Sequence, residues 1–182
     1  MNAIALPNPS QIYLVIGGHS AAQQLLEMAA HLALRGPLLL LDCGNRANPL
    51  PLVRELRRQT PDPVPALQNI HSARAFTCNQ VLALLAQTAG APVQHPVLVF
   101  DLLATFYDES ISFGEGRRLL AQSLGCLRQI RQTAPLLISA RPPLAAFPQR
   151  RVFLELLLEM SDRTWLEETP QPPQINQLSF FA

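Results

Sequence analysis

The chain of 182 residues contains no lysine: all 14 of its basic side chains are arginine. Schiff-base chemistry, a lysine general base and the phosphate-gripping lysine of a P-loop are therefore excluded. Cysteine is scarce and odd in number. Cys43, Cys78 and Cys126 are widely spaced and form no CxxC pair, which argues against a disulfide framework and a zinc site and for buried free thiols in a reducing compartment. An excess of one charge is also lacking, because 14 basic side chains face 13 acidic ones. No whole-molecule field draws such a protein to nucleic acid or to an acidic membrane, so only a local patch could. Apolar runs such as Pro37 to Leu41 fall far short of the roughly 20 residues of a membrane span, and no basic leader opens the chain. The expectation is a soluble, cytoplasmic protein.

What is present is a globular composition, 48% hydrophobic and 15% charged. A chain of this length buries about 70% of its unfolded surface in one core without disulfides or metals. One domain is expected over residues 1–168, followed by a proline- and glutamine-rich tail over 169–182 that ends in an aromatic pair, Phe180-Phe181.

Short apolar runs predict buried strands at Ile12 to Ile16, Leu38 to Asp42, Val97 to Asp101 and Pro135 to Ser139, with further strands at Ala66 to His71 and Arg163 to Glu167. Helical spacing of leucine and alanine predicts helices from Ser20 to Arg35, with Ser20 as the cap, and over Leu50 to Arg58, Phe76 to Thr88, Glu115 to Thr133 and Val152 to Met160. TPDPVP reads as a rigid connection. Strands alternating with helices predict a three-layer α/β domain with a mostly parallel sheet.

Ligands of such sheets sit at the carboxyl ends of the strands, so the turn GGHSAA after the first strand is the place to look for chemistry. A nucleophile elbow built on Ser20 fails on context, because too little chain precedes that strand and no persuasive acid and histidine follow in order. A P-loop reading fails on chemistry. Counted from Gly17, the second glycine falls on Ala22, the lysine on Gln23 and the hydroxyl on Gln24. The strand, the glycine turn and the helix remain, and VLVFD still ends on Asp101.

In order, the segments DCGNRANP from Asp42, IHSARAFTCNQVLALL from Ile70, VLVFDLLATFYDE, GEGRRLLAQSLGCLRQIRQ and LLISARPP resemble the RecA-type recombinase core, in particular its archaeal and eukaryotic paralogues. The resemblance runs from about Ile12 to Glu167 and implies a RecA-like P-loop fold with a degenerate Walker A turn. It places Gly17, Gly18, His19 and Ser20 where the family binds phosphate, Asp101 at the Walker B acid, Gly44 where the family has its water-activating acid, and Arg141 at its glutamine switch. It places Arg117 and Arg118 in a first DNA loop, and Arg141, Arg150 and Arg151 in a second.

Phosphoryl transfer depends on positioning and charge stabilisation, and four of the groups that supply them are missing here, so no catalysis is expected. No cofactor and no metal are expected, although weak binding of ATP or phosphate by the Gly17 to Ser20 amides stays open. The resemblance implies a non-catalytic pseudo-ATPase that associates with itself or with a RecA-family partner in DNA recombination or repair, with Phe180 and Phe181 as docking residues. The alternatives are a single-stranded DNA-binding accessory factor, carried by Arg117, Arg118, Arg141, Arg150 and Arg151, and a regulatory nucleotide-binding protein without hydrolysis. His31 and His71 read as helix-face and strand-end residues, and Trp165 as core.

Overall fold

The computed structural model describes residues 10–166 except Pro92 and Ala146, and only the backbone at His19. In chain order the elements are β1 (Ile12–Ile16), α1 (His19–Ala33), β2 (Leu38–Asp42), α2 (Pro49–Gln59), α3 (Val64–Gln68), β3 (Ile70–Arg74), α4 (Cys78–Ala89), β4 (Val97–Phe100), α5 (Phe113–Ile130), β5 (Leu136–Ala140), α6 (Arg151–Met160) and β6 (Arg163–Leu166). Single 3-10 turns at Ala104–Tyr107 and Pro148–Arg150 lead towards α5 and into α6.

The six strands form one sheet in the order β3-β2-β4-β5-β1-β6, and every pairing is parallel. Crossovers between parallel strands are right-handed, so the direction of travel across the sheet decides the face on which each helix lands. The chain moves one way from β1 through β2 to β3, and the other way from β3 through β4 and β5 to β6. Accordingly Leu25, Ala29 and Leu56 pack with Val15, Leu98 and Leu137 on one face, while Leu85, Leu124 and Leu157 pack with Leu14, Val99 and Ile138 on the other. Adjacent strand residues thus enter opposite cores, as the pleat requires. The result is a three-layer α/β domain, and every residue of β1, β4 and β5 is buried.

Local chemistry sets the helix starts. The side chains of Asn48, Thr77 and Ser112 accept the backbone N–H groups of Leu50, Gln80 and Glu115 and so cap α2, α4 and α5. Ser20 does not cap α1. Gly17 extends the sheet by donating to the Ala140 carbonyl at 3.1 Å, the chain turns at Gly18, and the helix opens at His19, so Ser20 lies inside the first turn. The strand expected at Ala66 to His71 is also displaced, because Val64 to Gln68 form α3 and β3 begins at Ile70. Proline at the start of α3 costs no helical hydrogen bond there, so the segment read as a rigid connection starts a helix. Trp165 is half-buried, its ring 4.8 Å from that of Tyr13. No helix of the described residues is long and apolar enough to cross a membrane.

Candidate functional site

Two neighbouring strand pairs, β5/β1 and β2/β4, send their chains to opposite faces of the sheet. Crevices at the carboxyl ends of such pairs are where open α/β sheets bind ligands.

The β5/β1 crevice holds the expected phosphate turn. Gly17 is buried, Gly18 and Ser20 are half-buried, and His19 opens α1. Among the described residues, a Cβ on Gly18 would meet nothing within 4 Å, so their packing does not demand glycine there.

The β2/β4 crevice is built from side chains that the sequence reading had mostly passed over. Asp42 and Asp101 end adjacent strands and are almost completely buried. The loop after β2 curls back through Asn45, whose φ of 55° lies in the left-handed region that asparagine tolerates. This curl aims three amides at Asp42: Gly44 and Arg46 donate to Oδ1 at 3.3 and 2.9 Å, and Ala47 donates to Oδ2 at 3.3 Å. Arg74, at the end of β3, adds its Nε to Asp42 Oδ2 at 2.9 Å.

Asp101 is held differently. Its backbone is left-handed, with φ 49°, and its N–H donates to the buried Ser139 hydroxyl at 2.9 Å. Arg141 Nε lies 2.7 Å and Arg46 Nε 3.6 Å from Oδ2, so two cations flank the acid. Burial raises the Asp101 pKa above the usual carboxylate range, and Arg141 and then Arg46 oppose that rise. The Tyr107 hydroxyl donates to the Arg141 carbonyl at 3.0 Å, and burial beside Asp101 pushes its pKa up. Burial and the two neighbouring carboxylates also raise the Cys43 thiol, which makes it a poor nucleophile.

Gly44 closes the crevice. A Cβ there would lie 2.5 Å from Asp101 Cβ, so only glycine fits beneath the acid. The carboxylates and guanidiniums form one network from the end of β3 to the end of β5. It carries three positive and two negative groups. Among the described residues no group of three histidine, cysteine, aspartate or glutamate side chains is placed to hold a metal ion.

The five arginines expected at the DNA loops share the carboxyl end of the sheet but not one role. Arg141 belongs to the network, with its side chain 35% exposed. Arg150 is buried, and its two terminal nitrogens donate to the Phe106 and Ile111 carbonyls, tying the start of α6 to the loop before α5. Arg118 grips Glu115 with Nε at 2.8 Å and Nη2 at 2.6 Å, and Arg151 lies 3.5 Å from Glu155. Arg117 is exposed on α5. Phe180 and Phe181 lie outside the described residues. Of the network, the sequence reading had named only Asp101 and Arg141 as site residues. Asp42, Arg46, Arg74 and Ser139 share one signal, their position at or just beyond the carboxyl end of a strand.

Comparison with protein-family models returned no match, and comparison with curated proteins returned none either.

Proposed function

We propose that this chain is a non-catalytic, RecA-like domain, a pseudo-ATPase that acts in the cytoplasm by association with other protein chains in DNA recombination or repair. One observation carries the reading. The crevice between β2 and β4 is filled by the chain's own Asp101, flanked by Arg141 and Arg46 and packed against Gly44, so the acid faces internal cations instead of an open cleft. The missing lysine and the Gln23 and Gln24 of the phosphate turn support it from the other crevice. So do the two sheet edges that are unpaired among the described residues, β3 and β6, with Phe76 exposed just beyond β3 and Leu166 exposed at the end of β6.

The test is calorimetric titration with ATP and magnesium beside a phosphate-release assay, on the wild type and on Asp101→Ala. No release above background is expected in either. Turnover in the wild type that Asp101→Ala abolishes would overturn the reading.

A second reading, binding of single-stranded nucleic acid, is favoured by one feature. Arg46, Arg74 and Arg141 each bring Nε to a buried carboxylate, and each keeps about a third or more of its side chain exposed, at 36%, 42% and 35%. Guanidiniums fixed in this way suit phosphate. Under this reading, replacing all three by alanine lowers the slope of log affinity against log salt by about 2 for an oligonucleotide. An unchanged slope removes it.

A further inference from the structure

We propose that the outer face of α2 receives the outer face of α6 from a second copy of this chain, so that molecules join head to tail. This inference rests on the association reading above and names its partner and surface.

On α2, Leu50, Val53, Arg54 and Arg57 follow the i, i+3, i+4, i+7 spacing of a single helix face. Leu50 is 70% exposed, and the face borders a groove of about 420 Å³ lined by these four residues and Arg58. Arg58 is paired with Glu55 at 3.2 Å, whereas Arg54 and Arg57 have no ion-pair partner among the described residues. The face therefore offers an apolar floor and two cations without an ion-pair partner among the described residues.

On α6, Glu155, Leu158 and Glu159 follow the same i, i+3, i+4 spacing with the opposite charge. Leu158 and both glutamates are exposed. Glu159 has no ion-pair partner among the described residues, and the Arg151–Glu155 pair is an exposed one of little strength. Leucine between two carboxylates complements leucine and valine beside two guanidiniums.

The topology keeps these faces from meeting within one molecule. α2 packs on one face of the sheet beside the β3 edge, and α6 packs on the other face beside the β6 edge. The two edges are five strand spacings apart, about 24 Å. The near-neutral total conceals a similar segregation among the described residues: 35–74 hold six arginines and three acids, while 151–166 hold two arginines and three acids. Unlike patches on opposite sides of a molecule make a heterologous contact, which propagates into open chains unless the rotation closes a ring.

The test is sedimentation velocity over a range of protein concentrations at two ionic strengths. The weight-average mass of the wild type is expected to rise with concentration and to fall with added salt. Arg54→Glu with Arg57→Glu, and separately Glu155→Arg with Glu159→Arg, are each expected to weaken association more than about tenfold. All four side chains are exposed, and circular dichroism checks that both variants fold. An equal mixture of the two variants restores complementary charge at every contact and is expected to reassemble. Wild-type association that both variants retain would overturn this interface and leave the association reading standing. A wild type that stays monomeric at every concentration would overturn the inference together with the self-association part of that reading.

Discussion

Asp42 and Asp101 end neighbouring strands and are equally buried, yet they are satisfied in opposite ways. Asp42 accepts three backbone amides and pairs in charge with one guanidinium, so its charge is consumed in shaping the β2–α2 loop. Asp101 is held chiefly by the charges of Arg141 and Arg46, and it occupies a left-handed backbone conformation that costs an ordinary residue free energy. Burial alone therefore does not tell an acid held by loop amides from one held by neighbouring cations. The basic side shows the same contrast, with Arg150 buried and spent on carbonyls and Arg141 half-exposed and held by charge.

The comparison is broken most directly at Asp42. Asp42→Ala strands three amides and is expected to cost about 3–5 kcal/mol, read as a lower urea midpoint with an unchanged slope. Arg150→Leu leaves the Phe106 and Ile111 carbonyls unpaired and is expected to cost about 2–3 kcal/mol in the same assay. Gly44→Ala forces its Cβ into Asp101 and should cost about 1–3 kcal/mol. Adding Asp101→Gly should recover about 1 kcal/mol or more of that loss, which a double-mutant cycle measures.

Asp101→Asn is expected to have the smallest effect, within about 1 kcal/mol at neutral pH, because asparagine tolerates the left-handed backbone and the half-exposed arginines rehydrate. Its pH dependence sharpens the contrast. The folded Asp101 holds its proton more tightly than the unfolded one, so the stability it contributes is complete below the unfolded carboxylate pKa of about 3.9 and is lost as pH rises through the raised value. The margin of the wild type over Asp101→Asn should accordingly be greatest in acid and shrink towards neutrality. A margin that stays flat with pH would show that the fold does not raise this pKa.

Where burial is continuous, the sequence announces the element: IYLVI, LLLLD and VLVF are strands because both of their faces are covered. Edge strand β3, IHSAR, carries no such run, since its side chains are mostly exposed or half-buried, and its position was read several residues too early. The site was less legible for a related reason. Arg46 and Arg74 meet the two acids through a fold that no local spacing encodes, and the arginine that ends up buried, Arg150, lies in a proline-rich stretch that reads as surface loop. The glycine in DCGNR drew notice as a missing acid, whereas its role here is steric.

The sheet order also bears on how the molecule comes into being. β1 and β2 are separated by two strands that are translated later, β5 and β4, a gap of three strand spacings or about 14 Å. When the ribosome has reached residue 74, β1 has no neighbour, β2 has only β3, and α1 carries Leu25 and Ala29 for a surface that needs Leu98 and Leu137. At that point no layer can be completed. The layers can close only once β4 and β5 fill the gap between β2 and β1.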